Sequence, residues 1–489
     1  MTPGGVAAAK RGDANAIRAG VLVGDGAAIV GALTALGAQR ERIAGIVSPD
    51  LSGVVQGVAV LGGALNAQAL AAAAAPIDAA VLCGAPGERR SVRKFLSDAA
   101  GLGLRPMIAE LSDGTSIRAL TLADVLGRPR SGLDLERMRE AIAGRRVLVT
   151  GAGGSIGSEL CRQIAALRPA RLILLDSSEY NLFSIDHELA RVAPDVSRSA
   201  ALCCIRSQDA VTRWFARERP EIVFHAAALK QVPLLESHAS EGVLTNVQGT
   251  RHVARAARAA GADMVFVSTD KAVNPRNTMG ATKRMAELYC QALDVQAGGR
   301  DGPRFLVARL GNVLGSAGSV SPLFERQIAA GGPVTVTHRD VARYFITIPQ
   351  ASEFLMQAAA SSLTGADARR GAAQVLDMGE ALPVVDLARD MIRLAGFKPE
   401  QEIEIQFVGL RPGEKLFERL IGDDEWVEGD ADLGVMTIAA APRALEEIDA
   451  EIDQLIALAA AGRDEMVRTR LHAFVAPRQA EPAQAAVAS

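Results

Sequence analysis

The stretch RRVLVTGAGGSIGSELCRQIAAL, residues 145–167, admits few folds. A short branched-apolar run, right for a buried strand, breaks at Gly151 into a glycine-rich loop and resumes with the apolar period of a helix. Gly151, Gly154 and Gly157 stand in a G-x-x-G-x-x-G spacing. In a strand–loop–helix unit the first glycine takes the tight turn, the second lets backbone approach a pyrophosphate, and the third lets helix pack on strand. The helix start then offers unpaired N–H groups to phosphate. Further strands are predicted in RLILLD, ALCCI, EIVFHAA, DMVFVST and RFLVARLG, separated by helical stretches such as LTNVQGTRHVARAARAAG. This alternation predicts an α/β protein with a doubly wound parallel sheet of the Rossmann type. Asp176 ends the second strand 19 residues after Gly157. A carboxylate there accepts from both ribose hydroxyls and repels a 2′-phosphate, which favours NAD over NADP.

A smaller Rossmann-like α/β unit precedes this one, over residues 16–130, with strands in RAGVLVG, IAGIVSP, DAAVLCG and RPMIAE. Its own turn, GDGAAI, has Ile29 where a third glycine would stand. Nucleotide binding and a purely structural turn both remain open for it, and a regulatory, structural or assembly role is expected. Turn residues in LGRPRSGLD mark a linker at 126–134, followed by the short helix LERMREAIAG. The catalytic domain is expected to run from 131 to 475, with a looser substrate-binding portion after residue 315. Residues 1–15 and 476–489 are expected to be disordered.

Composition narrows the function classes. A net charge of −3 over 489 residues carries no bias toward nucleic acid. Five cysteines without C-x-x-C spacing point to a reducing cytoplasm, with neither a disulfide framework nor a zinc knuckle. No metal site is expected from the scattered histidines. The longest uncharged run, LSGVVQGVAVLGGALNAQALAAAAAPI, is interrupted by Gly, Asn, Gln and Pro and reads as strand, turn and helix, so no integral membrane segment is expected. Of the 53 basic residues only seven are lysine: 10, 94, 230, 271, 283, 398 and 415. Where arginine is the default cation, a lysine marks a place that needs a compact or titratable charge.

The chemistry concentrates in VSTDKAVNPRNTMGATKR, residues 267–284. Thr269, Asp270 and Lys271 fall at the carboxyl end of the fifth strand, where doubly wound sheets bind ligands. An acid beside an amine suits elimination, one group protonating a leaving hydroxyl while the other takes the proton next to a ketone. The glycine spacing together with Lys283 resembles the extended short-chain dehydrogenase/reductase superfamily, in which a tyrosine four residues before the lysine deprotonates the substrate hydroxyl. Met279 fills that slot, and a thioether cannot be the base. Tyr180, Tyr289 and Tyr344 have Ser184, Leu293 and Ile348 four residues on, so no Y-x-x-x-K pair exists.

The segments VTGAGGSIGSEL, LLDSSEYNL, HAAALKQVPLLE, TNVQGT, STDKAVNPRNTMGATKR, RLGNVLGSAGSVSPLFERQI, GGPVTVTHRDVARYFITI and GLRPGEKLFE together resemble the CapD-like nucleoside-diphosphate-sugar 4,6-dehydratases of bacterial surface-glycan pathways, over about residues 134–421. Met279 resembles the branch that retains configuration at sugar carbon 5, the WbpM- and PglF-type UDP-N-acetylglucosamine 4,6-dehydratases. The resemblance implies bound NAD, regenerated each turnover, with cofactor contacts at Gly151, Gly154, Ser155, Ile156, Gly157, Asp176, Ala226, Ala227 and Lys283. It implies Thr269 at the 4-hydroxyl, Asp270 as acid and Lys271 as base. Lys230, Asn312, Arg343, Arg411 and Glu414 are the expected contacts to the UDP-sugar, Arg411 and Glu414 on phosphate and ribose. For Arg343 and Arg411 a structural pairing with a carboxylate is the competing role. Asn246 is expected to brace the catalytic strand. A homo-oligomer is expected. The chain departs from the family in showing no N-terminal membrane helices and in having CCIRSQDA where an adenine-side aspartate is usual. A 4-epimerase would need no acid–amine pair, and a non-catalytic NAD-binding regulator would be expected to have lost both STDK and RPGEK.

Overall fold

The computed structural model describes residues 17–478 except 74, 85–88, 111–115, 127–133, 299–301, 365–368 and 433. The expected disordered ends lie outside these residues except for 476–478, and so does most of the predicted linker. The chain forms two compact units. The first comprises the described residues up to 131 with 320–341 and 382–409; the second comprises 132–319, 342–381 and 410 onward. The two inserts thus group with the N-terminal unit, whereas the sequence reading runs 131–475 as one domain.

The first unit is built on a seven-stranded sheet whose five adjacent parallel strands include Ile43–Val47, Gly20–Val23, Ala79–Leu82 and Arg105–Glu110. All four match predicted strands. Asp25 caps the helix Gly26–Leu36 by accepting from the Ala28 N–H at 2.8 Å. A carboxylate at this helix start fills the place an anionic ligand would need, which favours the structural reading of the GDGAAI turn.

The second unit carries a nine-stranded sheet. Its strands are β1 (Arg146–Thr150), β2 (Arg171–Asp176), β3 (Arg198–Leu202), β4 (Ile222–His225), β5 (Asp263–Thr269), β6 (Phe305–Leu310), β7 (Ala373–Leu376), β8 (Glu425–Asp432) and β9 (Val435–Ala440). Their order is 3-2-1-4-5-6-7-9-8, parallel through β7 with an antiparallel pair at the edge. β3 starts three residues earlier than the predicted ALCCI, because its register pairs Ala201 with Leu175 and Leu202 with Asp176. Along β5, Met264 and Phe266 enter one core cluster while Val265 and Val267 enter another on the opposite face; β6 divides in the same way. This is why these strands read as unbroken apolar runs rather than alternating ones.

Three helices frame the crevice: α1 (Ser155–Ala166), α2 (Gly249–Ala260) and α3 (Thr278–Ala297). A doubly wound helix normally keeps one solvent face, yet residues 278–294 of α3 are all buried. A C-terminal pair, α4 (Leu445–Ala460) and α5 (Asp464–Val475), packs over it, placing Ile448, Ile452, Leu455, Val467 and Leu471 in the same core as Met285 and Leu293. Among the described residues no helix is long and apolar enough to cross a membrane.

Candidate active site

The sheet order reverses between β1 and β4, so the crevice opens where Gly151 follows β1 and Ala226 follows β4. Gly151 has φ +66, and a Cβ there would lie 2.8 Å from the Ala227 backbone; at Gly157 it would lie 1.9 Å from the Gly151 carbonyl. These two glycines hold the assigned turn and packing roles. Gly153, not singled out by its spacing, sits so close to Asn181 that a Cβ would approach to 2.5 Å. Gly154 caps α1 without any side-chain hydrogen bond. In contrast to the first unit, this helix start is left open, with Ser155 and Ile156 in its first turn and the Ser155 hydroxyl accepting from the Ala317 N–H at 3.1 Å. Asp176 accepts from the Gly153 and Ser178 N–H groups at 2.9 and 2.8 Å, one on each oxygen. Each oxygen keeps a lone pair for a ribose hydroxyl.

Beneath the crevice runs a hydrogen-bond chain of fixed polarity. Thr250 donates its only hydroxyl hydrogen to the Asn246 carbonyl (2.6 Å), so at its contact with His225 Nε2 (3.0 Å) it must accept. Burial, with help from Lys283, pushes the His225 pKa down to about 3, leaving a neutral ring whose Nδ1 accepts from Thr150 at 2.6 Å. Thr150 in turn accepts from the Ala227 N–H (3.3 Å). The Asn246 amide holds both backbone groups of Leu229 (2.8 and 2.9 Å) and the Thr282 hydroxyl (3.0 Å). Asn246 is therefore a brace, joining the loop after β4 to α3 rather than to the catalytic strand. Lys230 follows that loop, its amine pushed below the usual lysine value by the protein around it.

The α3 start is built around Asn277, whose side chain accepts from the Gly280 N–H at 2.7 Å. Gly280 is needed because a Cβ would lie 2.2 Å from the Lys271 carbonyl. Met279 is buried, and one turn on Lys283 lies with its ammonium 4.0 Å from the Phe266 ring centre. Burial pulls the Lys283 pKa down to about 8, with Glu287 opposing the fall. Glu287 belongs to a buried cluster. It accepts from Ser268 (2.7 Å), Arg284 (3.0 Å) and both arms of Arg309 (2.9 and 2.8 Å), while Glu425 bonds Arg309 (2.7 and 2.6 Å) and Arg284 (2.7 Å). Burial alone would raise both carboxyls, but the arginines win and hold Glu287 below its ordinary value and Glu425 at about 2. The sequence reading missed this cluster, since its four members are scattered over 142 positions.

At the end of β5 the Asp270 carboxylate is fully buried. Its Oδ1 accepts from the Thr269 hydroxyl and from Lys271 Nζ, each at 2.9 Å, whereas its buried Oδ2 has no partner among the described residues. Lys271 Nζ also donates to Asn312 Oδ1 at 2.7 Å. Asn312, expected to contact the UDP-sugar, is thus placed against Lys271. Arg343 is buried, with Nη1 on the carbonyls of Ala342 and Leu416 and Nη2 on Glu414 and the Lys415 carbonyl. Four of its five donors are taken, so the carboxylate-paired role describes it better than phosphate contact. Arg411 is exposed, its N–H held by Glu414 at 3.1 Å.

Strand order and crevice make the second unit a doubly wound Rossmann fold. Within that fold class the chain belongs to the polysaccharide biosynthesis protein family, whose pattern matches residues 147–439. It is 44% identical over 328 residues to the probable polysaccharide biosynthesis protein EpsC of Bacillus subtilis, covering 66% of this chain and 53% of that one. It is 43% identical over 312 residues to the capsular polysaccharide biosynthesis protein CapD of Staphylococcus aureus (63% and 50%). The chain therefore spans about half the length of these curated relatives. A Campylobacter jejuni protein named UDP-N-acetylglucosamine 4,6-dehydratase (inverting) is 28% identical over 285 residues (58% and 79%). Among solved structures, Pen from Bacillus thuringiensis superposes with a TM-score of 0.54 at 32% identity, covering 62% of this chain and 91% of that one.

Proposed function

We propose that the chain is an NAD-containing nucleotide-sugar 4,6-dehydratase acting on UDP-N-acetylglucosamine, with retained configuration at carbon 5. The carrying observation is Asp270: a fully buried carboxylate with one oxygen shared by a hydroxyl and an amine and the other oxygen unclaimed among the described residues. An epimerase has no use for such an arrangement. The open start of α1, Asp176 and Lys283 fit a dinucleotide. Bound there, NAD would supply the hydride acceptor for sugar carbon 4 and the hydride donor for carbon 6.

The protons are handled by this chain's own groups. With Met279 unable to act, the 4-hydroxyl proton passes through Thr269, 2.9 Å from Asp270, onto that carboxylate. Protonated Asp270 then delivers the same proton to the departing 6-hydroxyl, so one proton enters from oxygen 4 and leaves in water. Lys271, as the free amine, takes the carbon-5 proton. One amine removes that proton and, after exchange with solvent, delivers a proton or deuteron to the same face, which is why configuration is retained. Five unpaired cysteines fit a cytoplasmic setting.

The test is to incubate the purified protein, without added NAD, with UDP-N-acetylglucosamine in deuterated water and follow proton NMR. A methyl doublet collapsing toward a singlet, in a 4-keto product of unchanged carbon-5 configuration, is expected. Absence of any methyl signal, with NAD supplied and the carbon-4 epimer also tried, refutes the reading.

A further inference from the structure

Lys415 is one of the seven lysines, and the chemistry above does not use it. It is buried, donates from Nζ to the Val273 carbonyl at 2.8 Å and pairs with Glu418 at 3.1 Å. Val273 in turn donates its N–H to the Asp270 carbonyl at 3.2 Å, closing the single helical turn that carries Asp270 and Lys271. Two more ties join the same segments. Asn277 donates to the Gly413 carbonyl at 3.2 Å, where Gly413 (φ +74) comes so near that a Cβ would lie 2.8 Å from the Asn277 Cβ. Asn274, itself at φ +42, exchanges hydrogen bonds of 2.8 and 3.3 Å with Asp423. The loop after Lys271 is therefore pinned at 273, 274 and 277 to the segment 413–423. Immediately before and within that segment stand Arg411 and Glu414, and Arg343 grips its carbonyls at 415 and 416.

We propose that Lys415 is a positioning residue that couples the loop holding the nucleotide end of the substrate to the placement of Asp270 and Lys271. The proposal rests on the reading of this site as one for a nucleotide sugar. A ligand drawing Arg411 and Glu414 toward its phosphate and ribose shifts the Lys415 backbone. The ammonium carries that shift to Val273, and the turn carries it to the acid and base. Binding energy from the non-reacting end of the substrate is thereby spent on aligning the reacting groups. A compact ammonium suits one buried carbonyl beside one carboxylate; a planar guanidinium cannot reach both in the same way.

The experiment compares the full chain with Lys415→Met and Lys415→Arg. It measures UDP affinity by calorimetry, turnover of UDP-N-acetylglucosamine by NMR, and amide hydrogen exchange over residues 272–278 with and without UDP. In the wild type UDP should slow exchange in that segment. Lys415→Met should bind UDP within about threefold of wild type, lose the slowing, and drop in kcat on the order of 100-fold; Lys415→Arg should recover part of both. Unchanged kcat in Lys415→Met, or UDP binding to wild type with no change in exchange, overturns the coupling. UDP-induced slowing without product refutes the dehydratase reading alone; product without slowing refutes the coupling alone. Should Lys415→Met fail to fold, Asp423→Ala removes an exposed tie and must weaken the UDP-induced slowing, and an unaltered response there overturns the proposal.

Discussion

Glu287→Gln removes one charge from a buried cluster in which two arginines and two glutamates balance. Glu287 receives four hydrogen bonds there, three of them from Arg284 and Arg309. Glutamine keeps the shape but leaves the two guanidiniums facing Glu425 alone, with only Asp424 3.6 Å from Arg284 at the margin. Removing one partner of a buried ion pair costs about 3–5 kcal/mol, roughly 10 °C in Tm at ~2–4 °C per kcal/mol. Both tryptophans, Trp214 and Trp426, lie in the second unit, so intrinsic fluorescence during heating reports that unit. The pH dependence has a definite sign. Glu287 titrates lower in the folded protein than in the unfolded chain, so its contribution is present above the ordinary glutamate value of about 4.3 and is lost as pH falls through the folded value. The gap between wild type and variant must narrow in acid. A Tm loss under about 2 °C at pH 7, or a gap that widens in acid, refutes the argument.

Met279→Leu should keep kcat within about threefold and cost under ~1.5 kcal/mol, because the swap conserves volume and the thioether moves no proton; a hundredfold loss in the NMR assay would show that sulfur takes part. Gly157→Ala places a Cβ 1.9 Å from the Gly151 carbonyl and should yield protein without bound dinucleotide, read from the ratio of absorbance at 260 and 280 nm. Lys283, lowered to about 8 by burial, costs stability while charged in the fold; stability of the cofactor-free protein should therefore rise between pH 8 and about 10.4, and Lys283→Met should abolish that rise.

Local signals carried the reading furthest. The strand before Gly151 and the helix after it could be read because a buried parallel strand and a glycine-led helix start announce themselves within ten residues. Asp270 and Lys271 stood out because they directly follow an apolar strand and because lysine is scarce in this chain, whereas Lys415 was one of seven lysines with nothing local to single it out. The start of β3 was misjudged because CCI is as apolar as a strand, and only pairing with β2 decides the register.

The amino-acid sequence by itself determined the doubly wound sheet, the open glycine loop and the loss of the tyrosine, since each rests on residues adjacent or one helical turn apart. Tertiary structure alone decided which carboxylate meets which cation. Arg343 turned from phosphate toward Glu414, Asn312 toward Lys271, and Glu287 toward Arg309, because such pairings join residues 22 to 71 positions apart. No periodicity encodes them; they form only once the sheet has brought its strand ends to one edge and burial has made an unpaired charge too costly to keep.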